Sequence, residues 1–231
     1  MNALELLRAF VNPFDAGFWL ALDLVVGICF WIGVRYLASR WRNLAITARW
    51  LLIPYVALIS GGLSPRLMGL TGVDWRSSLA LGVGLAAVTT GLLFLVHATV
   101  ANGDRAATTP PELADSQPAD LSSRVYSIFA SGAEEWHWVF LRACLTALAL
   151  AGFGAEAAVS YWAIWLAALL ALPEALWAAP NTTVRLFSTI ALVSTTILFL
   201  FVRNFWLCWA LHASIMLFAG NIRWQEGERR R

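Results

Sequence analysis

Repeated apolar runs of bilayer length constrain this chain more than anything else in it. Seven stand out, at 18–37, 46–63, 78–100, 125–151, 157–179, 184–202 and 205–220. A helix needs about 20 apolar residues to cross a hydrocarbon core. A backbone in lipid must also satisfy its own hydrogen bonds, which leaves only helices and closed barrels. The short alternating segments of a barrel are not the pattern seen. The expected fold class is all-α: a polytopic membrane helix bundle of about seven transmembrane spans in a single domain, 1–231. Only Arg203 and Asn204 separate the last two runs. They form either a tight hairpin or one bent helix with a re-entrant end.

The polar residues fit the same picture. Hydrophobic residues make up 60% of the chain and charged residues 13%, about half the charged share of a soluble domain. All 16 basic residues are arginines, scattered at segment ends, where they snorkel and set topology. That scatter excludes a nucleic-acid surface. Cys29, Cys144 and Cys208 lie in apolar stretches without metal-type spacing and read as small buried hydrophobes. Residues 1–17 carry no cleavable signal pattern and read as an interfacial amphipathic segment ending near Pro13. The stretch 101–123, with Pro110, Pro111 and Pro118, reads as a flexible polar loop. Arginines cluster near the first connection (Arg35, Arg40, Arg42, Arg49) and in the tail (Arg223, Arg229–Arg231). The positive-inside rule then places the loop 101–123 and the C-terminus in the cytoplasm and the N-terminus outside. The setting expected is a bacterial inner membrane.

Against this apolar background, Glu134 and Glu135 stand side by side in the fourth run. A carboxylate at the bilayer centre costs at least a few kcal/mol, and two together demand a cation, a proton or a donor. Adjacent residues on a helix diverge, so one carboxylate can act as a base while the other orients it. His212, in the last run, is the natural partner if the fourth and seventh segments pack together. A Glu–His pair activates water directly or through a divalent metal. Arg142, two helical turns beyond Glu135, stays on the same face and is the nearest cation in sequence. Glu134, Glu135 and His212 are therefore the candidate catalytic residues, and the metal ligands if a metal is used. Their expected meeting point is a cavity open toward the cytoplasmic side.

The run Glu134-Glu135-Trp136-His137-Trp138, with His212 in an aromatic terminal segment, resembles the CAAX-protease and bacteriocin-processing family of intramembrane endopeptidases. Met68-Gly69-Leu70, ahead of the third span, resembles that family's Leu-Gly-Leu segment. The resemblance implies the family's helical fold and a site in which carboxylates and histidines activate water against an amide. It implies further an Arg directly after Trp138, a His in the fifth span and an Asn four residues after His212. Here those positions hold Val139, no His, and Met216. Arg142 and Glu174, the latter beside Pro173 near the expected His, are the auxiliaries that would fill the gaps.

Two uses of the chain follow. One is a degenerate or repurposed relative acting as a structural or accessory subunit among other transmembrane subunits, with the lipid bilayer as its constant partner. The other is an active glutamate- or metal-dependent intramembrane endopeptidase. A more distant option is a cofactor- or pigment-binding subunit using His97 or His137, since a neutral imidazole is a general metal ligand. Asp23, early in the first run, reads as interfacial, and Glu156 as a cap on the fifth span. Trp41, Trp50, Trp75, Trp206 and Trp224 read as interfacial belt residues. Trp136, Trp138, Trp162, Trp165 and Trp177 lie deeper.

Overall fold

A computed structural model describes residues 15–105, 121–153, 157–179 and 182–229. Among them are seven α-helices and no strand. In chain order the helices are α1 (Ala16–Gly33), α2 (Ser39–Ile59), α3 (Trp75–Arg105), α4 (Leu121–Phe153), α5 (Ala157–Ala178), α6 (Thr182–Val202) and α7 (Phe205–Arg229), with a short 3-10 turn, Val34–Tyr36, after α1. The all-α membrane bundle read from the apolar runs is the fold observed. The interfacial segment expected at 1–17 falls mostly on 1–14, outside the described residues. Asp15 already caps α1, its carboxylate accepting from the Gly17 amide at 3.2 Å.

Five helices are long and apolar enough to cross a membrane: α1, α3, α4, α5 and α6. The apolar part of α7 is shorter, Phe205–Ala219. Arg40, Arg42 and Arg49 lower the hydropathy of α2. The polar loop expected at 101–123 is shorter than the composition suggested, because α3 continues to Arg105 and α4 begins at Leu121. What lies between, 106–120, is outside the described residues.

α4 is the axis of the bundle. It packs on α1, α2, α5 and α7, while α6 packs on α5 and α7 and α3 covers α6 and α7. The core follows α4: Trp138, Val139, Phe140, Leu141, Ala143 and Cys144 are buried in succession. Val125, Tyr126, Ile128 and Phe129 near the start of α4 and Phe153 at its end are exposed, so it is the middle of α4 that its neighbours enclose. Cys208 joins that core, but Cys29 is exposed on α1.

The last two runs form a hairpin. Arg203 takes the left-handed conformation at φ 43°, and Asn204 caps α7 by accepting from the Trp206 and Leu207 amides at 3.0 and 3.3 Å. Gly69 supports this turn. Its carbonyl accepts from the Phe205 amide at 3.1 Å, its φ is +68°, and an added Cβ would stand 2.4 Å from the Arg203 carbonyl oxygen. Only glycine serves there.

Candidate active site

α4 presents its polar side chains to two sets of neighbours. Glu134, Glu135 and Arg142 meet α6 and α7. His137 meets α1, α2 and α5. Each set closes a buried network.

In the first network the His212 imidazole stands between the two glutamates. Its Nε2 faces Glu134 Oε2 at 3.6 Å and its Nδ1 faces Glu135 Oε2 at 3.4 Å. Adjacent carboxylates diverge on a helix, as the sequence required, and the ring fills the divergence by presenting one edge to each. Trp138, one turn after Glu134, stacks on the ring with centroids 4.6 Å apart and planes 8° from parallel. Gly132 permits this approach. A Cβ there would lie 2.7 Å from Trp209 Nε1, and that indole donates to the Ile128 carbonyl at 3.1 Å. With glycine at the crossing, α7 comes close enough for His212, one turn past Trp209, to reach the pair.

Arg142 sits two turns along the face of Glu135 and donates from Nη1 to Glu135 Oε1 at 2.7 Å. Its Nη2 donates to the hydroxyls of Thr195 and Thr196 at 3.0 and 3.1 Å. Both threonines pass their own proton to the Leu192 carbonyl, which leaves lone pairs free for the guanidinium. Arg142, expected as an auxiliary, is thus placed as the counter-charge of Glu135. Glu134 is less committed: Ser188 Oγ donates to its Oε1 at 3.1 Å. Glu135, Arg142 and His212 are 0% exposed and Glu134 is 6% exposed. The three residues meet as expected, but packed within the bundle. In place of the cavity expected to open toward the cytoplasm, only the Glu134 edge retains a trace of exposure.

Several polar atoms here are buried without a hydrogen-bond partner: Glu135 Oε2, both ring nitrogens of His212 and Arg142 Nε. Such atoms ordinarily find a partner in protein or ordered water. The gaps on either side of the ring are longer than a hydrogen bond.

The set does not fit a metal. The two ring nitrogens face opposite ways, each toward a different carboxylate, so no single point receives both glutamates and His212. Among the described residues no group of three or more His, Cys, Asp or Glu is disposed to hold one. The metal-ligand expectation for Glu134, Glu135 and His212 is corrected on that ground.

The second network was not foreseen as such. Asp23, read as interfacial, is 1% exposed, and its Oδ2 lies 3.0 Å from His137 Nε2. His137 Nδ1 lies 3.2 Å from Glu174 Oε2. Arg49 closes the ring, with Nη2 3.5 Å from Asp23 Oδ1 and Nη1 paired with Glu174 Oε1. Trp50, assigned to the interfacial belt, donates from its buried indole to Glu174 Oε1 at 2.8 Å. Glu174 therefore belongs to this ring, and its expected role as an auxiliary of the glutamate pair is corrected. His137 is corrected as a cofactor ligand, because both of its nitrogens face carboxylates. The side chain of His97 and all of Glu156 lie outside the described residues.

Ser188, Thr195 and Thr196 carried no signal in sequence, since small hydroxyl residues are common in spans for packing alone. Asp23 and Arg49 carried one, as opposite charges inside neighbouring apolar runs. Compared with known proteins, the chain matches no protein-family model, and neither a curated protein nor a solved structure matches it.

Proposed function

We propose that this chain is an intramembrane hydrolase acting on a peptide amide, a glutamate-dependent endopeptidase of the type the CAAX-protease and bacteriocin-processing family represents. The observation that carries this reading is the placement of His212. One imidazole faces two carboxylates across gaps of 3.4 and 3.6 Å, with both nitrogens free of hydrogen bonds. Glu134 keeps 6% exposure and is the carboxylate through which a water would enter.

The roles divide by commitment. Glu135 is held by Arg142 and fixes the imidazole. Glu134, restrained only by Ser188, is the general base. It takes a proton from water as the oxygen adds to the scissile carbonyl carbon. It returns that proton to the amide nitrogen as the carbon–nitrogen bond breaks, leaving a carboxylic acid and an amine. Positioned proton transfer of this kind contributes about 10²–10⁴-fold. The setting proposed is a bacterial cytoplasmic membrane, with the end of the bundle carrying the α1–α2 connection toward the cytoplasm.

The test is cleavage of single-span peptides by the purified protein in nanodiscs, read by mass spectrometry. Glu134→Gln is expected to lower the rate by at least about 100-fold. A Glu134→Ala, Glu135→Ala double variant that leaves every cleavage intact overturns the reading. Complete burial of Glu135 and its neutralisation by Arg142 favour the second reading, an accessory subunit that keeps the pair as a buried anchor. Native mass spectrometry after mild detergent extraction separates the two: a stoichiometric protein partner, together with no cleavage, supports the accessory role.

A further inference from the structure

The ring of Asp23, Arg49, His137 and Glu174 has the same inventory as the first network: two carboxylates, one guanidinium and one imidazole. The two differ in closure. Each carboxylate of the ring touches both the guanidinium and the imidazole, through different oxygens. In the first network Arg142 reaches only Glu135, and the contacts to the imidazole are longer. The ring's imidazole contacts are the shorter, although Asp23 Oδ1, His137 Nδ1 and Arg49 Nε are also buried without a hydrogen-bond partner.

The ring draws one side chain each from α1, α2, α4 and α5. The first network draws on α4, α6 and α7. Only α4 belongs to both, and His137 stands three residues from Glu134. Apolar contact between helices in lipid supplies no hydrophobic drive to fix rotation or depth. Polar contacts on opposite flanks of α4 do fix them. We infer that the ring is a positioning lock: it sets the rotation of α4, and so the distance from Glu134 and Glu135 to His212. Asp23, Arg49, His137 and Glu174 are then positioning residues of the site. This inference rests on reading Glu134 as the working carboxylate. A purely stabilising role explains the ring less well, because buried ion networks are often replaced by apolar groups without loss of stability.

The experiment uses the full chain in lipid bilayers, labelled with ¹⁵N-histidine. There are three histidines, so His97→Gln and His137→Gln assign the ring signals. Asp23→Asn and Glu174→Gln are the test variants; neither residue touches His212. Both are expected to displace the His212 ring resonances while the protein stays folded, as read by thermal unfolding. His212 signals that coincide with the wild type in the folded ring variants overturn the lock, and a lowered unfolding midpoint alone counts as that outcome. Should Asp23→Asn fail to fold, Asp23→Glu keeps the charge and changes its reach, and its His212 signals decide in the same way. Glu134→Gln is read alongside. If Glu134→Gln cleaves single-span peptides as fast as the wild type, the proposed function fails, while the ring variants still decide the lock.

Discussion

Glu135 and Arg142 show how a charge persists within a bilayer-length helix. Each is fully buried, and each supplies the other's main counter-charge at 2.7 Å. Removing one member of such a pair leaves a buried charge unmatched, at about 3–5 kcal/mol. Glu135→Ala is expected to destabilise by that amount in bicelle unfolding. Glu135→Leu combined with Arg142→Met is expected to recover most of the loss, because no orphan charge remains. Glu134→Gln should cost far less, about 1 kcal/mol, since it forfeits little beyond the Ser188 contact. A larger loss for Glu134 than for Glu135 contradicts the division of roles. At this scale the sequence was readable where charge broke an apolar run, as at Glu134, Glu135 and His212. It misled at Asp23 and Trp50, where nearness to a span end looked like nearness to water. The deciding contact in each case was a partner more than 100 residues away in the chain, which local pattern does not record.

The helices themselves were legible because their cause is local. Apolar runs of bilayer length become helices whatever their neighbours do, and five of the seven runs lie within the helices observed, to within a residue, while the first runs past α1 through the 3-10 turn Val34–Tyr36. The second run overshoots the end of α2 at Ile59, because Gly61 and Gly62 turn the chain while Leu63 keeps the run apolar. Which helix faces which is not local, and depends on small residues at crossings. Gly132→Leu is expected to drive α4 and α7 apart. Spin labels at the exposed positions Phe129 and Trp206 should report a longer distance, and an unchanged distance would remove the crossing as the cause of the Glu134–His212 contact. The start of α3 depends on pH in a definite sense. Asp74 accepts from the Ser77 hydroxyl at 2.8 Å and the Arg76 amide at 3.1 Å, and these bonds hold its carboxyl below the ordinary carboxylate range. A depressed folded value means the cap is fully present above the unfolded value of about 3.9 and is lost as pH falls through the folded one. Amide exchange at Arg76–Ser78 should therefore accelerate in Asp74→Ala at neutral pH, and the two proteins should converge in strong acid.

At the scale of the whole molecule, the question is whether α2 crosses. Hydropathy alone omits it, and its two ends meet different parts of the bundle. Near its start, Ile46 and Trp50 cluster with Val34, Ala133 and Ala178, beside the end of α5. The connection that follows it brings Gly69 against Arg203 and Phe205, at the far end of α6. The charge that spoils its hydropathy, Arg49, is matched within the ring by Asp23 and Glu174, so a crossing α2 would carry its guanidinium compensated. α7 packs back along α6 despite its short apolar stretch. If all seven helices cross, one end carries Arg35, Arg42, Arg124 and Arg185 and the other carries Arg66, Arg76 and Arg203, and the bias of arginine favours the proposed orientation, with the first end toward the cytoplasm. Single cysteines replacing Arg42, Arg185 and Arg66, in a chain whose Cys29, Cys144 and Cys208 are alanine, test this directly. A membrane-impermeant thiol reagent should reach the first two from the cytoplasmic side only and the third from the opposite side only. If Arg42 and Arg66 label from one side, α2 does not cross, and Arg49 is paired at the membrane surface instead of within the span.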